Sequence, residues 1–128
     1  MRFPENLKYT KDHEWAKTEG NTITIGITDH AQSALGDVVY IELPTPGRVL
    51  KKGEAFGVVE SIKAVSDLYS PVTGKVIAAN TALLDDPAQA NKDPHGIAWM
   101  IKIELTDPAS THELMDAKTY TQLVETLK

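Results

Sequence analysis

The chain has 128 residues and contains no cysteine. Without a thiol it can form no disulfide, no thiolate metal site, no cysteine nucleophile and no CxxC redox pair. If this protein takes part in redox chemistry, the redox group must therefore be brought to the chain from outside.

Long apolar runs and clusters of basic residues are also missing. No apolar run approaches the roughly 18 residues that cross a membrane, and the first eight residues are too polar for a signal peptide and unlike a transit peptide. Thirteen Lys and Arg against 18 Asp and Glu give a net charge of -5. The densest basic pair, Lys51–Lys52, is followed at once by Glu54. We therefore expect a cytoplasmic protein that binds neither nucleic acid nor a membrane.

Short strand-like runs separated by turn residues occupy the first hundred positions. The length suits a single domain over residues 1–128 with one hydrophobic core. Apolar runs bounded by Gly, Pro and Asn predict five strands, at residues 21–27, 37–43, 55–60, 74–78 and 97–105. The first of these alternates polar and apolar residues, as a half-buried strand does. This spacing is typical of a small, mainly β sandwich or barrel.

Two helices are predicted beside the strands. Thr28 can cap a short helix over residues 29–35, and Gly36 stands just past its end. Near the C-terminus, residues 110–113 have capping-box spacing and predict a helical segment at about 110–127. Its apolar stripe, which suits packing against a sheet, consists of Leu114, Ala117, Tyr120, Leu123, Val124 and Leu127. The polar stretch 85–96, with two prolines, is expected to be a long loop.

Motifs for catalysis or metal binding begin in this chain but are not completed. Residues 13–17 start like the HExxH helix of a zinc protease, yet Lys17 stands where the second histidine is needed. The four histidines are spread over the chain without ligand spacing, and Ser61 lacks a GxSxG environment. We therefore predict no catalytic residue and no metal site, so the chain does not look like an enzyme built from its own side chains.

A lysine lies at the centre of a predicted hairpin. Two strand-like runs within residues 58–76 flank a connection near 61–65, and Lys63 is at its middle. A lysine amine on a rigid turn is an exposed nucleophile on a flexible stem. The residues alone leave two interpretations open, an attachment point and a lysine that only keeps the turn soluble.

The segment Glu-Ser-Ile-Lys-Ala at 60–64, followed by Ser-Pro-Val-Thr-Gly at 70–74, resembles the attachment hairpin of biotinyl and lipoyl carrier domains. Other segments narrow this resemblance to the H proteins of the glycine cleavage system. They are residues 8–15, 25–32, 35–44, 91–94, 99–102 and 114–120. The resemblance covers nearly the whole chain, in order, through several independent motifs.

The resemblance implies a mainly β fold, the barrel-sandwich hybrid, with an attachment hairpin at about residues 56–78. It implies that Lys63 carries lipoate through an amide, as lipoyllysine. The implied function is a non-catalytic, monomeric carrier that shuttles the aminomethyl group of glycine and delivers electrons. The implied partners are a glycine decarboxylase with pyridoxal phosphate, an aminomethyltransferase with tetrahydrofolate, dihydrolipoyl dehydrogenase and a lipoylating enzyme.

The same resemblance marks further positions around the arm. Glu14 and Asp67 correspond to the region where relatives hold the loaded arm, so both are candidate contacts to it. Some relatives place a histidine at the helix position occupied here by Ala34. A second departure is the apolar pair Ile97–Ala98 before Trp99, where a more polar or glycine-containing pair is commoner.

Three other functions remain as alternatives. The first is a lipoate donor for the acylation of other carrier proteins. The second is a biotin carrier, which is disfavoured because the lysine of biotinyl domains usually lies between methionines, whereas Ile62 and Ala64 flank Lys63. The third is an unmodified β domain that acts only in protein interactions.

Overall fold

The computed structural model describes residues 3–127, in which nine antiparallel strands form two sheets. The strands are β1 (Lys8–Tyr9), β2 (Glu14–Glu19), β3 (Thr22–Ile27), β4 (Val38–Glu42), β5 (Val49–Leu50), β6 (Ala55–Ser61), β7 (Val65–Tyr69), β8 (Gly74–Ala79) and β9 (Ile101–Leu105). The first sheet has the order β1-β2-β3-β9-β8-β5, and the second has the order β4-β6-β7. Because most of the regular structure is strand, the mainly β class expected from the sequence is confirmed.

Four short α-helices and one 3-10 turn complete the described chain. They are α1 (Asp29–Leu35), α2 (Thr81–Asp85), α3 (Gln89–Lys92), the 3-10 turn Pro108–Thr111 and α4 (Ala117–Thr126). The predicted ends of α1 are confirmed: the Thr28 hydroxyl accepts a hydrogen bond from the amide of Ala31, and Gly36 follows with φ +81°. Within residues 3–127 no helix is long and apolar enough to cross a membrane.

Three predicted boundaries are wrong. The capping box at 110–113 does not start the C-terminal helix, because that helix begins after Asp116, whose carboxylate accepts from the amide of Thr119. The expected loop 85–96 contains α3. The last strand begins at Ile101 rather than at residue 97, since Asp93 holds the amides of residues 97 and 98 in a turn.

The apolar side chains form two separate clusters. The larger one lies between the sheets and buries the inward residues of β3, β4, β6, β8 and β9. The smaller one joins β1 and β2 to the C-terminal helix, and its members are Phe3, Leu7, Tyr9, Trp15, Ala117, Tyr120 and Val124. It receives Ala117, Tyr120, Leu123 and Val124 of the predicted C-terminal stripe, whereas Leu114 packs against the larger cluster and Leu127 is 55% exposed. β3 is buried on both faces rather than half-buried as its alternation predicted, and Trp15 of this cluster covers Gly26 on its outer face.

The smaller cluster depends on a glycine in β3. A Cβ on Gly26 would lie 2.7 Å from the Trp15 indole, whose ring nitrogen donates to the carbonyl of Pro94 at 2.8 Å. Trp15 pairs with Gly26 across the two strands. The bare glycine therefore makes room for the largest side chain of this cluster directly beside Glu14.

Strands β6 and β7 form the predicted hairpin, which is shorter than expected. Glu60 pairs with Val65, and residues 62–64 form the turn. After Tyr69 the chain crosses to the other sheet, where β8 pairs with β5 and β9. The expected hairpin segment 56–78 therefore contains one tight hairpin and one crossover between the sheets.

Candidate functional site

Lys63 lies in the turn between β6 and β7, and its side chain is exposed. The hydroxyl oxygen of Ser61 accepts hydrogen bonds from the amides of Lys63 and Ala64, at 3.3 and 3.1 Å. The amide of Ser61 donates to the carbonyl of Ala64 at 2.8 Å. A side chain that satisfies backbone amides in this way holds a turn in one conformation. Ser61 thus supports the lysine turn.

The turn is also attached to the neighbouring strand. The amide of Ile62 donates to the carbonyl of Asp37 at 3.3 Å, and Ser61 pairs with Val38. A Cβ on Gly36 would lie 3.6 Å from the Cε of Lys63, so the lysine stem runs past the end of α1. The amine is therefore carried on a short, well-supported turn and projects beyond it.

A small cleft lies beside the hairpin, with a volume of about 140 Å³. Helix α1, the start of β2, the end of β3, and strands β6 and β7 form its walls. Its lining residues are Asp12, His13, Glu14, Ile27, Ala31, Ala34, Leu35, Val59, Ser66, Asp67 and Leu68. The tertiary structure therefore brings together Glu14, Ala34 and Asp67, which lie far apart in sequence.

Glu14 is a buried carboxyl group with only 2% of its surface exposed. The Thr10 hydroxyl donates to its Oε1 at 2.7 Å, and the amide of Tyr69 approaches its Oε2 at 3.4 Å. Burial and, to a smaller extent, the nearby Asp12 raise the pKa of Glu14 from 4.5 to about 7, against the opposing effect of the two hydrogen bonds. Near neutral pH this carboxyl can therefore hold or release a proton.

Asp67 is exposed on β7, four residues from Lys63, and pairs with Val58. β7 begins at Val65, and from there to Asp67 the strand advances by roughly 7 Å at about 3.3 Å per residue. Lys63 itself does not line the cleft. An unmodified lysine thus lies outside the cleft, and β7 leads from the lysine turn toward it.

The chain is similar to known proteins over nearly its whole length. The family model described as Glycine cleavage H-protein matches residues 7–127. The chain belongs to this family. A glycine cleavage system H protein of Anaeromyxobacter sp. (strain K) is 55% identical to it over 125 residues, 98% of each chain. That of Myxococcus xanthus (strain DK1622) is 52% identical over 123 residues, 96% of this chain and 95% of the relative.

A solved structure agrees with this assignment. The crystal structure of a glycine cleavage system H protein from Mycobacterium marinum matches with a TM-score of 0.89 and 38% sequence identity. The match covers 96% of this chain and 99% of that one. The barrel-sandwich hybrid expected from the sequence is thereby confirmed as the fold of this member of the H-protein family.

Two departures noted in the sequence now have structural settings in this H-protein family member. Ala34 lines the cleft with only a methyl group, which leaves that part of the wall apolar. Ala98 is buried in the main cluster, whereas Ile97 is 66% exposed and lines a separate groove with Trp99 and Leu83. Nothing in the structure explains why isoleucine occupies position 97.

Sequence reasoning missed a residue that organises the surroundings of Lys63. The side-chain amide of Asn91 donates to the carbonyl of Gly36 at 2.8 Å and to Gln32 at 3.0 Å. Its side-chain oxygen accepts from the amide of Val38 at 2.9 Å. Asn91 thus joins the end of α1 to the start of β4, next to the lysine turn. The segment 91–94 carried a family resemblance, but no local pattern pointed to this contact.

We expect Asn91→Ala to destabilise the protein by about 2 to 3 kcal/mol, because three hydrogen bonds at a partly buried site are lost. It should also speed amide hydrogen exchange at Ile62, whose partner carbonyl is in the segment that Asn91 holds. Asn80→Ala is the matched control, since Asn80 donates two hydrogen bonds to residues 97 and 99. If both variants speed exchange at Ile62 equally, Asn91 has no specific effect on the lysine turn.

Proposed function

We propose that this protein is a lipoyl carrier of the glycine cleavage system, with lipoate attached to Lys63 through an amide. The observation that carries the proposal is the position of Lys63. Its amine projects from a turn that Ser61 and Asp37 hold, and the adjoining strand leads to a cleft with a buried carboxyl. A flexible arm on a rigid support makes transfer between docked partners effectively intramolecular.

The residues present fit a lipoyl group. The cleft has apolar walls that suit a hydrocarbon arm. The residues that form them are Ile27, Ala31, Leu35 and Val59, and the small side chain of Ala34 leaves space beside them. When bound, lipoate supplies a dithiolane that can accept the aminomethyl group and two electrons, chemistry that a chain without cysteine does not have. The chain's own residues supply attachment, shelter and charge.

Glu14 and Asp67 have different tasks in this proposal. Asp67 is exposed at the side of the cleft and presents a carboxylate to an approaching cationic amine. Glu14 is buried, where few waters reach it, so its attraction to a cationic amine is weakly screened and therefore strong. The amine would in turn stabilise the ionised form of Glu14. The surrounding apolar side chains would exclude water from the bond between the aminomethyl group and the arm, which is prone to hydrolysis.

The catalytic groups belong to the partners. These are the pyridoxal-phosphate glycine decarboxylase, the tetrahydrofolate-dependent aminomethyltransferase and the flavin-dependent dihydrolipoyl dehydrogenase, with a separate enzyme that lipoylates Lys63. Strands β4, β6 and β7 carry Glu42, Glu60 and Asp67 and contain neither Lys nor Arg. Basic docking faces on the partners would complement this sheet.

The intact mass of the protein purified from its own host, with peptide mapping across Lys63, tests this function. The expected result is a lipoyl adduct on Lys63. A biotin adduct would be compatible with the fold but would contradict the lipoyl chemistry. Well-expressed protein with an unmodified Lys63 would contradict the carrier mechanism and favour an interaction module.

A further inference from the structure

Through Tyr120, the C-terminal helix α4 contacts His13, one of the residues that line the cleft. The Tyr120 ring is fully buried, stacks on Tyr9 with the centroids 4.7 Å apart, and meets Phe3 edge-on. Its hydroxyl lies 2.8 Å from the Nδ1 of His13 and 2.7 Å from the Oγ1 of Thr28. Packing thus fixes the ring, and the fixed hydroxyl is a rigid hydrogen-bonding partner for both residues.

His13 adopts an unusual backbone conformation. Among residues 3–127 it is the only non-glycine residue with a positive φ, +69°. A side chain with a Cβ disfavours this left-handed region, so the conformation persists only where surrounding contacts hold it. The amide of His13 donates to the carbonyl of Thr10, and its carbonyl accepts from the amide of Thr28. Its hydrogen bond with Tyr120 adds a side-chain contact that opposes relaxation.

The turn that His13 completes also places Glu14. The Thr10 hydroxyl accepts from the amide of Glu14 at 3.1 Å and donates to its carboxylate at 2.7 Å. If His13 relaxed to a negative φ, the path of the chain between Thr10 and Glu14 would change. The carboxyl would then lose both its Thr10 partner and its shelter from water.

We propose that Tyr120 is a positioning residue for the cleft, which keeps the Glu14 carboxyl buried by holding His13 in its left-handed conformation. The proposal deepens the proposed function and relies on it only for the identity of the arm. Tyr120 is 107 residues from His13 in sequence. Helix α4 would thus hold His13 in place through Tyr120, in addition to closing the smaller apolar cluster.

Other titratable groups surround this turn and are common to every variant tested below. They are Asp12, His13, His30 and Asp67 on the side of the cleft, and Lys11, Lys52, Tyr69 and Glu113 on the opposite side of Glu14. Burial and the neighbouring His30 lower the pKa of His13. The Tyr120→Phe change removes none of these side chains, but it removes the hydrogen bond on His13, so the titration of His13 is followed together with that of Glu14.

The test compares Tyr120→Phe with Tyr9→Phe in protein produced without lipoate. Tyr9 is equally buried, stacks on the same ring and donates its hydroxyl proton to the carbonyl of Pro4 at 2.6 Å, away from the cleft. Carboxylate ¹³C NMR titration measures the pKa of Glu14. We expect Tyr120→Phe to lower it by roughly one unit or more toward 4.5, because water gains access. Tyr9→Phe should leave it near 7.

A coupled variant sharpens the test. Glycine accepts a positive φ without strain, so in a His13→Gly background Tyr120→Phe should produce no further shift in the pKa of Glu14. Lipoylated samples provide a second readout, the rate at which iodoacetamide alkylates the reduced arm. That rate should rise in Tyr120→Phe and not in Tyr9→Phe.

The possible results separate this inference from the proposed function. A Glu14 pKa that is unchanged in Tyr120→Phe, or that falls equally in Tyr9→Phe, overturns the positioning role. A full additional shift in the His13→Gly background also overturns it. A shift of the Glu14 pKa without any change in arm alkylation upholds the positioning role and counts against the proposed arm site at Glu14.

Discussion

Lys63→Arg should carry no lipoyl group and should reduce glycine consumption by the reconstituted four-component system to the level seen without this protein. Arginine keeps the positive charge and a long stem, but its guanidinium stays protonated and is not acylated. Because Lys63 is exposed and its backbone is held by Ser61, stability should change by less than about 0.5 kcal/mol. Intact mass, turnover and urea unfolding measure the three quantities.

Lys75→Arg is the control for this experiment. Lys75 is also exposed, but it lies on β8 in the other sheet. Its substitution should leave both the lipoyl adduct and turnover at the wild-type level. Substantial turnover by Lys63→Arg would show that the carrier function does not depend on this amine.

Glu14→Gln should stabilise the protein above neutral pH while weakening its hold on a cationic arm. The pKa of Glu14 is raised from its ordinary value of 4.5 to about 7. Between these values the unfolded chain loses a proton that the folded chain retains, so the contribution of Glu14 to stability falls as pH rises. At 1.36 kcal/mol per unit, the stability of Glu14→Gln relative to wild type should rise by about 2 to 3 kcal/mol between pH 5 and pH 8.

The comparison with wild type isolates this carboxyl. Burial lowers the pKa of His13 and His95, and these groups make stability rise with pH as it passes from their folded pKa toward 6.5. Both histidines are present in each protein, so their effect cancels in the difference. Urea unfolding at several pH values provides the measurement, with the exposed Glu104→Gln as control.

A stability difference that does not change between pH 5 and pH 8 would show that Glu14 titrates like an exposed carboxyl. One opposing effect is expected. The amide of Tyr69 approaches Oε2, and a glutamine nitrogen there would face another donor. This contact is long, at 3.4 Å, so it should reduce the gain without reversing it.

The position of Lys63 and both ends of α1 were accessible from the sequence because each depends on neighbours within a few residues. Thr28 and Gly36 are capping residues at the expected spacing, and the lysine lies between two runs of strand-forming residues. The start of the C-terminal helix could not be predicted from neighbouring residues alone. Two capping signals lie close together there, and the sequence does not show that Ser110 instead donates to a backbone carbonyl at 2.6 Å.

The burial of Glu14 could not be deduced from local pattern. Its neighbours include the amide of Tyr69, 55 residues away, and the cleft also needs Ala34 on α1 and Asp67 on β7. The family resemblance marked Glu14 and Asp67 as candidates, but it carried no information on burial or on the resulting pKa. Asn91 and Tyr120 were missed as contributors to the site because their contacts join distant elements.

The sequence alone was thus enough to predict the absence of thiol chemistry, the mainly β class, the lysine turn and helix α1. Composition and spacing determine these features through short-range preferences of the backbone. The tertiary structure alone decided that a carboxyl from β2 lies buried beside β7, that Asn91 holds the end of α1, and that Tyr120 supports His13. Those features arise from contacts between residues that only the folded chain brings within hydrogen-bonding distance.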